Sequence, residues 1–394
     1  MTRWWRSWPR GVPLLFLNNL LMSLGFYALI PYLSVYVTKS LGWPAWAAGA
    51  LLMVRQVSQQ GLTLLTGVVA DRLGYRRIIT AGFLLRGLGF ALFGASGAPA
   101  MMFTAAVISG LGGALFEPVS AAALTALTPE SDRRRTYAVS KVVGNLGMVL
   151  SALVGAVLIG VDFRVLSWTC GLIFASMGVL TRWRLPEIRV QLQPIPLRRM
   201  MVAVLADRPF VRLVLANSGY FFMYMQLYLT IPVRVTDLTH RTQAVSLVFL
   251  TLAVLVAAFQ YPVNALVSRI PPAPAMMAGL LAMALGLVGI GTAGHLSLFL
   301  PGFVLFAVGV MITEPANYDL TAQLAKPGLT ATYFGFGYVA LALGGGLGQG
   351  VGGWLMDAGS SLGVPSLLWW TAAAIGGASA LLLNSPAIRR PQTG

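Results

Sequence analysis

Charge is what this sequence has least of. Of its 394 residues 10% are charged and 57% hydrophobic, and Asp and Glu together number only 11. A soluble domain carries about 25% charged residues, so this chain has too little polar surface to face water. A mean hydropathy of +0.78 makes the bilayer its solvent. Cysteine is nearly missing: the single Cys170 excludes an internal disulfide and a cysteine-based metal centre. Histidine is nearly missing too. His240 and His295 both fall in expected outer loops, which argues against a catalytic triad or a histidine metal site. No GxxxxGK[ST] occurs, so no P-loop hydrolyses ATP. Neither an enzymatic role nor a cofactor is expected. The opening MTRWWRSWPR runs into an apolar stretch too long for a signal h-region, so no cleavable signal peptide is expected.

What the chain has in quantity is long apolar runs. Roughly 20 apolar residues cross the hydrocarbon core as a helix. Twelve stretches qualify: 12–37, 45–70, 78–97, 99–127, 137–161, 164–184, 210–236, 243–267, 273–293, 296–325, 331–357 and 365–384, numbered here as spans 1 to 12. They lack the alternation of a β-barrel. The fold class is an all-α membrane protein. The 27 Lys and Arg give a net charge of +16 and a pI near 10.8. In a soluble chain that balance suggests nucleic acid; here it reads as topology, and no nucleic-acid partner is expected. With both termini cytoplasmic, the inner side holds Arg3, Arg6, Arg10, Arg72, Arg76, Arg77, Arg133, Arg134 and Arg135. It also holds Arg182, Arg184, Arg189, Arg198, Arg199, Arg208, Arg212, Arg269, Lys326, Arg389 and Arg390. Only Lys39, Arg164, Arg234 and Arg241 fall outside. Trp43, Trp46, Trp168, Trp369 and Trp370 mark one interface and Trp4, Trp5, Trp8 and Trp183 the other. A multi-pass protein of the cell (inner) membrane, working as a monomer, is expected.

The chain divides into a six-helix half, 1–184, a basic cytoplasmic loop, 185–209, and a second six-helix half, 210–394. The halves match at a displacement of 197 residues. YAVSKVVGNLGMVLSALVGAVL (137–158) lies over FGFGYVALALGGGLGQGVGGWL (334–355), and GVVADR (67–72) over NALVSR (264–269). Glu117-Pro118 lies over Glu314-Pro315. Glycine matches come cheaply in membrane segments; a repeated intramembrane Glu-Pro does not. Paired six-helix repeats with a midplane site are a transporter architecture.

The loop after span 2 reads GVVADRLGYRRII, 67–79. It resembles the G-x-x-x-D-R-x-G-R-R/K signature of the major facilitator superfamily, with Gly67, Asp71, Arg72, Gly74, Arg76 and Arg77 in its positions. The resemblance implies a conformational latch that holds the halves on the cytoplasmic side and releases during alternating access. LMVRQVSQQG (52–61), LLRGLGF (84–90), SGLGGALFEP (109–118), ITEPA (312–316) and NNLLMSLGFYALIP (18–31) further resemble the MdtH-type multidrug resistance branch of proton-driven exporters. Three departures stand out. An acid is expected where Asn18 stands, and an amide cannot take up and release a proton. Asp319 is an acid where a neutral residue is expected. GNLGMVLSALVG (144–155) lacks the Gly-Pro usual in span 5.

The charges expected inside the membrane are Arg55, Arg86, Glu117, Glu314 and Asp319, each a functional candidate. Glu117 lies about ten residues, roughly 15 Å, from the inner end of span 4, and Arg86 stands at a similar depth on span 3. The two can form a structural ion pair, or Glu117 can serve transport. At the position matching Arg86 the second half has Met283. Glu314 is therefore expected to be buried without a base, and burial disfavours the charged form of a carboxylate. That leaves it poised to exchange a proton, unless a residue across the cavity pairs with it. Asp319 can pair with Arg269 or Lys326, or act in coupling. Arg55 and Gln59, like Gln56 and Gln60, are one helical turn apart. Their stripe, with Asn18 and Asn19 of span 1, can line a cavity or join span 2 to span 11. Span 7, YFFMYMQLYL (220–229), suits a lipophilic substrate if it faces the cavity and suits plain packing otherwise. Pro118 and Pro315 each remove one backbone bond and are expected to kink spans 4 and 10.

An ion channel and a lipid-modifying membrane enzyme are the rivals from other classes; the repeat and the latch motif favour a transporter. The expected function is a proton-coupled antiporter exporting lipophilic or cationic small molecules by alternating access. Glu314 is its first candidate for the titrating group and Glu117 its second. A lipid or an endogenous metabolite is the alternative substrate.

Overall fold

The structure is a computed structural model describing residues 8–188, 204–326, 330–385 and 388, without the side chains of residues 64, 65, 67, 68, 71, 134, 330 and 331. The expectations for Arg3, Arg6, Trp4, Trp5, Arg189, Arg198, Arg199, Arg389, Arg390 and most of the central loop lie outside the described residues. So do those for the side chains of Asp71 and Arg134, and at Gly67 only the backbone is described.

Every regular element among the described residues is helical, and each of the twelve expected stretches is one helix or two or three consecutive helical segments. Among these residues nine helices are long and apolar enough to cross a membrane. The other three stretches differ for physical reasons. Span 2, Ala45–Leu73, carries the polar stripe. Span 12, Leu367–Leu383, has 17 residues. Span 7 is not one helix: Arg208–Tyr224 passes through a 3-10 turn, Met225–Tyr228, into Thr230–Thr239. Gln226, fully buried, repairs this break. Its amide donates to Phe222 O at 2.9 Å and to Gly348 O at 2.8 Å, and its carbonyl accepts from the Thr230 hydroxyl at 3.0 Å. Irregular backbone in a membrane protein requires such satisfaction.

Many large apolar side chains face outward, among them Val157 at 69% and Leu172 at 71% exposure. That suits a lipid surface and would be a liability in water.

The chain forms two compact units. The first comprises Met1–Val37, Val54–Gln193 and Val245–Leu250; the second, Thr38–Met53, Pro194–Ala244 and Thr251–Gly394. Relative to the division at 185–209, residues 38–53 group with the second unit and 245–250 with the first. In the second unit Asp357 caps the start of Ala45–Leu73, accepting from Ala45 N at 3.1 Å and Trp46 N at 2.7 Å. A carboxylate is favoured at a helix N-terminus by the orphan N–H groups and the helix dipole.

The internal repeat is visible in how helices touch. In the first unit a Cβ placed on Gly82 would lie 2.9 Å from Gly112 O, and one on Gly112 would lie 2.4 Å from Arg86 N. In the second unit Gly279 meets Gly309 O at 2.9 Å and Gly309 meets Met283 N at 2.6 Å. Gly89 against Ser109 N and Gly286 against Phe306 N, both 2.5 Å, extend the correspondence. All of these pairs are 197 residues apart. Glycine at these points lets the two helix backbones of each hairpin, spans 3 and 4 and spans 9 and 10, approach closely.

Pro118 and Pro315 both lie inside continuous helices, Pro99–Leu127 and Leu296–Leu324. Pro315 has no N–H for the carbonyl four residues before it. That carbonyl, Met311 O, accepts instead from Gln260 Nε2 at 3.3 Å.

Candidate functional site

In the first unit a linear relay crosses spans 2, 4 and 3. Arg55 Nη1 donates to Gln59 Oε1 and Nη2 to Gln56 Oε1, both at 3.0 Å. Gln59 turns its amide the other way, donating from Nε2 to Glu117 Oε1 at 2.8 Å. The same carboxylate oxygen lies 3.5 Å from Arg86 Nη1. The stripe of one-turn spacing in span 2 thus meets the Glu-Pro of span 4 and the arginine of span 3. Gly113 makes the convergence possible, since a Cβ there would lie 2.6 Å from Arg86 Nη1 and 2.7 Å from Gln59 Cδ. Gln60, also buried, stands outside the relay; its Oε1 has no hydrogen-bond partner among the described residues.

The two ends of the Arg86–Glu117 pair sit in unlike surroundings. The Arg86 side chain is 1% exposed and that of Glu117 is 42% exposed. The guanidinium carbon of Arg86 lies 5.1 Å from the centre of the Phe26 ring and 5.9 Å from those of Phe90 and Phe174. Arg55 approaches the same Phe26 ring at 5.3 Å. Ring faces attract cations, yet Arg86 Nε has no hydrogen-bond partner among the described residues. Its charge is balanced through aromatic faces and one distant carboxylate oxygen.

Glu117 opens onto a cavity of about 290 Å³ built by three helical stripes. Span 1 supplies Leu15 and Asn19; span 4 supplies Phe116, Glu117, Ser120, Ala121 and Leu124; span 5 supplies Tyr137, Ser140 and Lys141. Asn19 Nδ2 donates to Ser140 O at 2.8 Å and to Ser140 Oγ at 3.1 Å, fixing spans 1 and 5 at the wall. Lys141 escaped the sequence reading although it lies inside span 5. Its signal was a lysine several residues within an apolar run, easily absorbed into the arginine cluster before it.

Asn18 does not join the cavity lining. It is fully buried and pairs with Thr181 of span 6, Nδ2 donating to Oγ1 at 3.1 Å and the Thr181 hydroxyl returning to Oδ1 at 3.3 Å. Where the resemblance leads one to expect an acid, a neutral amide joins two helices.

The second unit gives Glu314 a different setting from the one expected. It is half-buried rather than buried, and it forms no hydrogen bond or ion pair with the described residues. The matching position to Arg86, Met283, is fully buried and apolar. One turn beyond Glu314, Asn317 accepts from Asn217 Nδ2 of span 7 at 2.6 Å. That pair was not anticipated, because neither residue carries charge. Of the two alternatives for Asp319, the ion pair is not formed: it is exposed and pairs with neither Arg269 nor Lys326; its exposure removes the desolvation that would have demanded a partner.

The signature loop is anchored within its own unit. Gly74 adopts φ 90°, a conformation that side chains resist. Beyond it Arg76 Nη2 lies 2.8 Å from Glu187 Oε2, Arg76 Nη1 donates to Leu185 O at 3.4 Å, and Tyr75 N donates to Ile188 O at 3.2 Å. Arg72 and Arg77 are exposed. Glu187, an acid in a basic loop, was not singled out from sequence.

No group of His, Cys, Asp and Glu among the described residues could hold a metal ion.

The comparisons with known proteins agree with this architecture. The profile of the Major Facilitator Superfamily matches residues 15–349. The chain is 37% identical over 374 residues to the multidrug resistance protein MdtH of Cronobacter sakazakii, covering 95% of this chain and 93% of that protein. It is 36% identical over 367 residues to MdtH of Yersinia pestis, covering 93% and 92%. Among solved structures, a POT family transporter in complex with a thioalcohol-conjugated peptide superposes with a TM-score of 0.79 at 13% identity. That likeness covers 98% of this chain and 99% of the other, and it concerns the fold.

Proposed function

The chain belongs to the major facilitator superfamily, and on that premise we propose that it is a proton-coupled antiporter exporting small amphiphilic molecules by alternating access. A multi-pass membrane transporter with a small-molecule substrate is the common ground of the family; export, proton exchange and the residues that perform them are the reading offered here. It works as a monomer in the inner membrane with both termini cytoplasmic, and it needs no cofactor.

The observation that carries this reading is the unequal fate of the two Glu-Pro carboxylates. Protonating Glu117 would strand Arg86, almost fully buried and in an ion pair with no other acid among the described residues; breaking a buried pair by removing one charge is strongly unfavourable. Glu117 is therefore suited to hold Arg86 and Gln59 in place while facing the cavity. Glu314 has no such obligation. It can gain or lose a proton without breaking a hydrogen bond or ion pair among the described residues, which favours it as the group that cycles. Substrate is taken up in the cavity at Glu117, and proton exchange takes place at Glu314.

The relatives are named multidrug resistance proteins, which supports drug-like small molecules as the substrate class. Transport of a fluorescent amphiphile into everted membrane vesicles, with and without an imposed pH gradient, tests the reading. Uptake should require the gradient and collapse with a protonophore. Gradient-independent uptake points to a facilitator, and ion flux far above transporter turnover points to a channel.

A further inference from the structure

Lys141 is exposed on the wall of the cavity and forms neither a hydrogen bond nor an ion pair with the described residues. Its place on the wall is fixed by helical spacing: Tyr137, Ser140 and Lys141 fall on one face of span 5, and all three line the cavity. The same cavity is lined by Glu117, whose Oε1 is already taken by Gln59 at 2.8 Å and Arg86 at 3.5 Å. Arg55 lies one link further along the same relay. Among the described residues the cavity wall carries one cation, Lys141, and one carboxylate, Glu117, and the relay behind Glu117 adds the buried cations Arg86 and Arg55. A ligand carrying only positive charge meets a surplus of its own sign. A ligand carrying an acid meets an ammonium with no competing hydrogen bond or ion pair among the described residues, and such charge-assisted hydrogen bonds are the stronger class.

We propose that Lys141 is a substrate-binding residue that receives the acidic group, a carboxylate, sulfonate or phosphate, of an amphiphilic small molecule. Leu15, Phe116 and Leu124 form the apolar wall against which the rest of that molecule packs. The proposal rests on the transporter reading of the same cavity and narrows its substrate class. It turns the substrate away from the simple cations that the intramembrane carboxylates suggested from sequence. A cavity of about 290 Å³ suits a compact ligand. The ammonium could equally be met by a soluble acid or by a phospholipid phosphate, and the assignment made here is to the soluble acid.

The test uses the purified full-length protein in neutral detergent, with the fluorescent acid N-dansyl-phenylalanine and its primary amide as matched probes. The wild type should bind the acid about tenfold more tightly than the amide, the ratio that one hydrogen bond to a charged group provides. Lys141→Gln should weaken the acid alone and erase the preference; Lys141→Arg should keep most of it. The assignment is overturned if the wild type shows no preference or no saturable binding of the acid. It is equally overturned if Lys141→Gln moves acid and amide together, or neither. Phosphatidylglycerol, compared with phosphatidylcholine, separates the lipid source. If only the anionic lipid displaces the acid, and only with Lys141 present, the headgroup is the occupant and the assignment to a soluble acid fails. The binding is measured at equilibrium without a proton gradient, so its failure and a failure of proton coupling are told apart.

Discussion

Arg86 Nη1 stands 3.5 Å from Glu117 Oε1, and 197 residues later the same two positions hold Met283 and Glu314, which can form no ion pair. One half of the repeat keeps a charge pair where the other keeps a thioether and a lone carboxylate. The two members of the pair do not contribute equally, because Arg86 is buried and Glu117 is partly exposed to the cavity.

That asymmetry predicts unequal stability losses. Glu117→Gln leaves a buried guanidinium without its counter-charge and should cost about 2 kcal/mol, below the usual figure for a fully buried pair because Glu117 is partly exposed. Arg86→Met, which copies the second half, leaves Glu117 hydrogen-bonded to Gln59 and half in solvent, and should cost less. Thermal unfolding of the detergent-solubilised variants measures both. A larger loss for Arg86→Met would contradict the asymmetry.

Neighbouring glycines should separate folding from function. Gly112→Ala drives a methyl against the Arg86 backbone, 2.4 Å from its nitrogen, and should lower stability by about 1–3 kcal/mol as overpacking does. Gly113→Ala meets only the ends of the Arg86 and Gln59 side chains. Those can move, so the fold should survive while the relay to Glu117 is displaced and transport falls. Melting temperature and vesicle transport, measured on both variants, should give opposite rankings.

Asn18→Asp restores the acid that the family resemblance leads one to expect, and it should not restore a proton site. The position is fully buried against Thr181, which the amide serves as both donor and acceptor. A carboxylate loses the donor and brings a charge with no base in contact. A stability loss of about 2 kcal/mol with no new dependence of transport on pH is expected. Stronger coupling in this variant would show that span 1 retains a proton route.

Much of this was legible in the sequence. The twelve stretches, the repeat, the one-turn spacing of Arg55 and Gln59 and the closeness of Arg86 to Glu117 followed from hydropathy and from helical spacing at matched depth; that the span 2 stripe reaches Glu117 did not. Three further things were not legible. Span 7 breaks because Gln226 can satisfy freed backbone groups, and one uncharged glutamine among aromatics carries no such signal. Glu314 and Asp319 were placed by depth alone, and depth does not reveal which face of a helix a residue occupies. That is why both proved more exposed than expected. Lys141 and Glu187 were hidden by their basic neighbours. The latch carboxylate of the signature loop, Asp71, lies outside the described side chains, so its role is still an expectation.

Gln260 and Pro315 should be coupled. Gln260 serves the Met311 carbonyl that Pro315 leaves without a helix partner. Gln260→Leu should destabilise by about 1 kcal/mol in the wild type. In a Pro315→Ala background, where the helix N–H returns, it should destabilise less. A double-mutant cycle on thermal stability gives the coupling; strict additivity would mean that the contact does not compensate the proline.

The central claim is that Glu314 exchanges the proton. It is tested most directly with Glu314→Gln protein in proteoliposomes, comparing substrate counterflow at equal pH with uptake driven by a pH gradient. Counterflow should persist at near wild-type rate while gradient-driven accumulation is lost. Full gradient-driven accumulation by Glu314→Gln would contradict the claim.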